Sequence, residues 1–425
     1  MIFILYRIII ILFERKSKSF LKFSRVFFRK TKKFHFCNDS FLFCDKIVML
    51  YEKFYNYMKV LLIFLKQYDI IYKLNINALL CGAKTEDLPM KNVERFNAVL
   101  NFEKTDRLPM VEWASWWPDT IERWRKEGFD DSTIAWDRIQ THLGLDYIQR
   151  VWMPLMTPDR PRPASHGAPL IETAEDYEAF KKYLYPNESH WNYVKKLDVL
   201  RNLSKEHEDG DAVLWYSFDG FFWFPRTLMG IENHLYSFYD EPELYHQICS
   251  DLADYIIAQL PKIYEITTPD FMVISEDMSY NNGPMISEEL FDEFILPYYQ
   301  KIIPEIKKYG TKVIVDTDGD VSMMIPWLIR AGVDGVLPLE RQAGVDLVKL
   351  REQYPDFLFI GGFNKMAMIA GEEAMRNEFE RLLPVMKSGG YIPSCDHQTP
   401  PQVSYENYQI YLRLLKEYSE KAKNE

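Results

Sequence analysis

From Met90 onward, short apolar runs rich in β-branched residues alternate with longer stretches in which apolar positions recur every three to four residues. The first pattern reads as buried strand and the second as amphipathic helix. Eight strands are predicted, at 109–113, 146–152, 212–218, 271–276, 312–317, 333–337, 357–360 and 391–394. Predicted helices fall at 118–127, 242–267, 287–309, 320–331, 344–354 and 372–387, with a final one at 405–422. Strands separated by helices build parallel βαβ units, and eight such strands close a barrel. The expected fold is therefore α/β, a (β/α)8 TIM barrel with a C-terminal helix. A proline-rich loop at 153–172 is expected to cross the barrel mouth. No internal repeat and no Walker or Rossmann glycine pattern is present.

Residues 1–89 break this pattern. They hold 16 Lys+Arg against 7 Asp+Glu, one glycine (Gly82), one proline (Pro89) and no tryptophan. Turns in a globular domain draw on glycine and proline, which this stretch nearly lacks. Three readings compete. The apolar run 1–13 suggests an anchor or signal, but it is short of the ~20 residues that span a bilayer, and its charges follow rather than precede it. A small helical domain would need cap and turn residues that are not evident. The preferred expectation is a weakly packed or disordered extension upstream of a true start at Met90, with the enzyme domain at 90–425.

Charge and cysteine usage narrow the function class. The chain of 425 residues is 47% hydrophobic and 27% charged, a globular composition. Its net charge of -11 argues against a nucleic-acid partner, since phosphate binding needs a basic face. Cysteines at 37, 44, 81, 249 and 395 show no paired spacing, so a reducing cytoplasm is the expected setting. No membrane association is expected for 90–425.

Barrel enzymes carry their chemistry at the C-terminal ends of the strands. Here those ends hold Glu276 and Asp277, then Asp316, Asp318 and Asp320, then Glu340, Lys365, and Cys395, Asp396 and His397. Charges gathered at one rim are costly unless they pair, bind a metal or meet a substrate. Cys395 and His397, two residues apart, could reach one ion, with Glu276 or Asp318 completing a four-coordinate zinc site. A buried thiol beside a surface imidazole explains the same pair. The VDTDGD run is either a solvated turn or a pair of carboxylates aimed into the mouth. Glu340 and Lys365 are equally an ion pair across adjacent strands or catalytic groups. His166 and His234 read as surface or core residues. Trp113, Trp116, Trp117, Phe221, Phe222 and Trp223 either line an apolar pocket or fill the core.

In their order, the segments RFNAVLNFEKTDRLPM, FPRTLMGIENHLYSFYDEPEL, EDMSYNNGPMISEELFDEFILPYYQKI, VDTDGDVSMMIPWLIRAGVDGVLPLE and GGYIPSCDHQTPPQVSYENYQIYL resemble the uroporphyrinogen decarboxylase superfamily. That group includes the decarboxylase and corrinoid-dependent methyltransferases. The decarboxylase's arginine-rich segment after the first strand is replaced here by VEWASWWPDTIERW, and its Phe-Ser-Asp by VWM at 151–153. Gripping a porphyrinogen with many carboxylates needs cations at the first of these places. In the methyltransferase branch, zinc is bound by a His-x-Cys after the fifth strand and a late cysteine. Cys395 matches the last ligand, while Asp316-Thr-Asp318 stands at the first position.

The resemblance thus implies a methyltransferase moving a methyl group between a corrinoid and a small donor or acceptor. Zinc would be held by Glu276, Asp318, Cys395 and His397. Asp316, Glu340 and Lys365 would be the catalytic groups, and Trp113, Trp117, Phe221 and Trp223 would bind substrate. The corrinoid would arrive on a partner protein, and homodimerisation is an open expectation. Two alternatives are decarboxylation of uroporphyrinogen III or a related tetrapyrrole, and non-enzymatic binding of a corrinoid or tetrapyrrole.

Overall fold

The computed structural model describes residues 89–423, within a compact unit at Pro89–Glu425. The expectations for residues 1–88 lie outside the described residues. Nine strands occur among the described residues: β1 Ile148–Trp152, β2 Val213–Asp219, β3 Phe271–Ser275, β4 Ser279–Tyr280, β5 Gly283–Pro284, β6 Lys312–Asp316, β7 Gly335–Leu337, β8 Leu358–Phe363 and β9 Tyr391–Cys395. Seven form one sheet in the order β1-β2-β3-β6-β7-β8-β9, every pair parallel. β4 and β5 make a small antiparallel hairpin.

These segments are strands for a simple reason. FMVIS in β3 and LFIGGF in β8 are buried at every position, as expected for a parallel sheet covered on both faces. The flanking helices match the predicted ones at Pro118–Lys126, Pro242–Ile266, Ile325–Ala331, Leu347–Gln353, Glu372–Lys387 and Tyr405–Lys421. The long helix expected over 287–309 is two helices, Glu288–Phe294 and Leu296–Lys307. Pro297, in the first turn of the second, has no N–H to continue the first. Among the described residues, no helix is long and apolar enough to cross a membrane.

The closed eight-stranded barrel is the main correction. The first predicted strand, 109–113, joins no ladder, so the described sheet is a seven-stranded, barrel-like sheet without the closing strand. The segment nevertheless bonds to both edges of the sheet. Met110 O accepts from Asp146 N at 2.7 Å, and Asp146 Oδ2 accepts from Met110 N at 3.0 Å. Towards β9, Trp113 N donates to Ser394 Oγ at 3.2 Å. The Glu112 carboxylate accepts from Ser394 Oγ at 2.7 Å and from Cys395 N at 3.1 Å. A side-chain carboxylate stands where a strand would offer its carbonyl, and that is why the segment is buried yet not a strand.

The proline-rich loop is pinned beside the sheet. Leu170 N and Ile171 N donate to Leu228 O, and Ile231 N donates to Gly167 O. None of its residues lines the cavity described below.

Removing the Glu112 carboxylate strands Ser394 Oγ and Cys395 N in the interior, at about 1–3 kcal/mol each. Glu112→Ala should therefore lower the urea unfolding free energy by about 2–6 kcal/mol, while Glu112→Gln, which keeps an acceptor oxygen, recovers most of it. Equal stability of Glu112→Ala and the wild type would show that the segment does not tie the sheet edges.

Candidate active site

The strand register sets one level of residues at the C-terminal edge of the sheet. Asp219 pairs with Ser275, Ser275 with Asp316, and Asp316 with Leu337. Chain just beyond this level carries Glu276, Asp277, Asp318 and Glu340. Asp316 closes β6 and Asp318 lies two residues beyond its end. Both line a cavity of about 430 Å³, with Asp277, Arg150, His397 and Trp113 among its walls.

Two groups of side chains converge on this rim. Ligand atoms of Asp318, Glu340 and His397 lie within 4.8 Å of one another, as do those of Asp277, Asp316 and Asp318. Either group could hold a metal ion. His397 Nε2 lies 3.5 Å from Asp318 Oδ2, and that bond to Asp318 raises the imidazole above its ordinary value. Glu340 accepts from Gly319 N at 2.9 Å and lies 3.5 Å from Lys365 Nζ, which is also 3.4 Å from Asp396. Gly319 is required here: its φ is +82°, and a Cβ would sit 2.5 Å from the backbone of Tyr280 in the β4–β5 hairpin.

The acids of the cavity are poorly neutralised. Desolvation pushes the Asp316 carboxyl up to about 7 against the opposing effect of Arg150. It pushes Asp277 up to about 6, with Asp318 adding repulsion. Asp277 also sits at φ 46°, in the left-handed region that aspartate tolerates better than most residues.

Not every rim residue takes part. Glu276 is fully buried, and its oxygens accept from the N–H groups of Phe221, Phe222 and Trp223 at 2.9, 2.7 and 3.2 Å and from Tyr299 OH at 2.7 Å. Those amides open the helix Trp223–Met229, so this carboxylate satisfies otherwise orphaned donors. A Cβ on Gly220 would come within 2.0 Å of it, so only glycine admits the approach. Cys395 is likewise buried, with burial driving its thiol well up and Glu112 and Asp396 adding to the effect. The structure brings neither Glu276 nor Cys395 into the two groups. β9 ends at Cys395 and the chain bends over 396–398, which ends the alternation that would have put His397 on the thiol's side.

The aromatic residues divide in the same way. Trp113 lines the cavity, its ring 6.1 Å from that of His397 and its Nε1 donating to Cys395 O at 2.9 Å. Phe221 is in the core, Trp117 is exposed beside the helix Pro118–Lys126, and Trp223 carries Arg226 on its ring. Neither Phe221, Trp117 nor Trp223 lines the cavity, whose walls instead include Trp136 and Trp215. Arg150 was also missed. Its position inside a mostly apolar strand was the available signal, since a charge there needs a partner or a task.

A family model described as uroporphyrinogen decarboxylase (URO-D) matches residues 160–418. Curated relatives include the uroporphyrinogen decarboxylase of Rickettsia africae, 23% identical over 275 residues, covering 60% of this chain and 73% of that one. That of Chlorobaculum tepidum is 22% identical over 236 residues, covering 53% and 65%. Among solved structures, a methyltransferase from Methanosarcina mazei superposes with a TM-score of 0.52 at 13% identity, covering 77% of this chain and 99% of that one. This last likeness is one of fold.

Asp219, at the end of β2, belongs to neither group and supplies a pH test of its own. Desolvation raises its carboxyl to about 7. The folded state then holds a proton that the unfolded chain has already released, so the stability it contributes is full below the ordinary aspartate value and lost as pH rises to about 7. In chelator-treated protein, the unfolding free energy should fall between pH 4 and 7.5, and Asp219→Asn should flatten that slope. An unchanged slope in the variant would show that Asp219 is ionised throughout.

Proposed function

The chain belongs to the uroporphyrinogen decarboxylase family, and from that premise we propose a metal-dependent methyltransferase. In this reading it moves a methyl group between a corrinoid carrier and a small donor or acceptor seated in the cavity. The observation that carries this reading is the convergence of Asp318, Glu340 and His397 within 4.8 Å beside a cavity with far more acid than base. Such a lining repels a porphyrinogen with many carboxylates and suits a cation with a small substrate.

One imidazole and two carboxylates form a donor set that suits Zn²⁺ and harder divalent ions. The thiolate-rich set implied by the methyltransferase resemblance does not fit here, because the Cys395 thiol is enclosed in the core. Asp318, Glu340 and His397 would hold the ion, which when bound supplies a Lewis acid to a substrate oxygen or acceptor. Lys365, 3.5 Å from Glu340, offsets the charge of that carboxylate and keeps it oriented. Asp316, raised to about 7, is matched to taking or giving a proton at its carboxylate oxygens near neutral pH. Trp113 narrows the mouth and limits water at His397. A cavity of about 430 Å³ admits a small molecule but not a corrinoid as well, so the corrinoid would be presented at the mouth by a partner protein.

Metal analysis of the purified full-length chain tests the ligand set. We expect about one divalent ion per chain, lost in Asp318→Ala and His397→Ala and retained in Cys395→Ala. Free methylcobalamin serves as the probe of activity: its visible spectrum should change with a competent acceptor in the wild type and not in His397→Ala. Absence of bound metal after zinc is supplied, or loss of metal in Cys395→Ala, would overturn the assignment. Turnover of uroporphyrinogen III by metal-free protein would return decarboxylation as the activity.

A further inference from the structure

Arg150 is the one arginine or lysine among the residues that line the cavity, whose walls also include Asp277, Asp316 and Asp318. Its guanidinium lies over the Trp152 ring at 3.7 Å and the Trp215 ring at 4.6 Å. Nε donates to Ser217 Oγ at 2.8 Å and Nη2 to Ser275 Oγ at 3.1 Å. Two aromatic faces and two hydroxyls on neighbouring strands thus fix the plane of the fork. Holding a flexible side chain in one pose is the costly part of building an anion site, and here it is already done.

Asp316 and Asp219 act on the charge through space, but neither carboxylate is hydrogen-bonded to the guanidinium. The nearest carboxylate oxygen paired with it is Asp316 Oδ2, at 3.9 Å from Nη2, beyond hydrogen-bond distance. Both hydrogen bonds of the guanidinium go to neutral hydroxyls, and Nη1 makes none to the described residues. A partly buried guanidinium held in one plane is suited to a bidentate carboxylate. If Arg150 only balanced Asp316, the two would be expected in direct contact.

We infer that Arg150 anchors a carboxylate on the substrate, whose flat apolar body lies against the tryptophans of the cavity. Asp316 links the two ends of the site: it faces Arg150 at 3.9 Å and stands within 4.8 Å of Asp318, a member of the His397 group. A molecule held at Arg150 by its carboxylate therefore presents its far end toward Asp318 and His397. Trp113, Trp116, Trp136 and Trp215 are among the residues that line the cavity, which favours a ring over a chain. The substrate class is a small aromatic monocarboxylate, with the reacting substituent opposite the carboxylate. This deepens the proposed methyl transfer by naming its substrate, but the carboxylate site requires no metal, and the two can fail separately.

Tryptophan fluorescence of the full-length chain, titrated with benzoate and with its neutral isostere benzamide, tests the anchor. The titrations are run on chelator-treated and on zinc-supplied protein. Charge-assisted hydrogen bonds exceed neutral ones enough for benzoate to bind at least about tenfold more tightly. Arg150→Gln should abolish the preference, and Arg150→Lys, which keeps the charge without the fork, should restore part of it. Equal binding of the two probes, binding of neither, or a preserved preference in Arg150→Gln would overturn the inference. The wild-type comparison stands even if the variants fold poorly. A benzoate preference in metal-free protein, together with no zinc uptake, would keep the anchor and refute the metal site.

Discussion

A carboxylate taken out of water costs several kcal/mol unless donors or cations replace its hydration, and the C-terminal edge of this sheet gathers many of them. The fold treats them in two ways. Glu276 receives three helix-opening amides and a tyrosine hydroxyl, and Glu112 receives a serine hydroxyl and a strand amide. These two are spent on architecture. Asp277, Asp316 and Asp318 line the cavity with far fewer donors, while burial raises carboxyls of both kinds, Glu276 and Asp316 alike to about 7. The difference lies in the donors: those of Glu276 and Glu112 come from the fold, whereas the cavity acids are open to a ligand.

The same contrast explains what could be read along the chain. Seven of the eight predicted strands form within a few residues of their expected bounds, because a fully buried parallel strand announces itself as a continuous apolar run. The segment at 109–113 carries the same apolar signal but bonds to β9 through the Glu112 side chain. Hydrophobicity reports burial and not which acceptor a neighbour uses. The position of Asp316 and Asp318 just after the apolar VIV run pointed to the mouth, and both line the cavity.

Beyond the strand ends, residue spacing says less about where side chains go. Cys395 and His397 have ligand-like spacing, but the chain bends after Cys395 and leaves the thiol in the core. Glu276 and Asp277 are adjacent acids with opposite fates, decided by Gly220 opening space for one carboxylate and by the left-handed backbone at the other. Trp136 and Asp137 reach the cavity from a 3-10 turn with no periodic signal. Arg150 was legible as a charge inside a strand, while its pairing with Trp215 and Ser217 depends on register with β2.

The account depends on a metal held by nitrogen and oxygen alone, although a cysteine lies two residues from the histidine. X-ray absorption at the zinc edge of the zinc-loaded chain measures this directly. The account predicts nitrogen and oxygen scatterers at about 2.0–2.2 Å and no sulfur. A sulfur scatterer at about 2.3 Å would contradict it, placing the Cys395 thiol on the metal and out of the core.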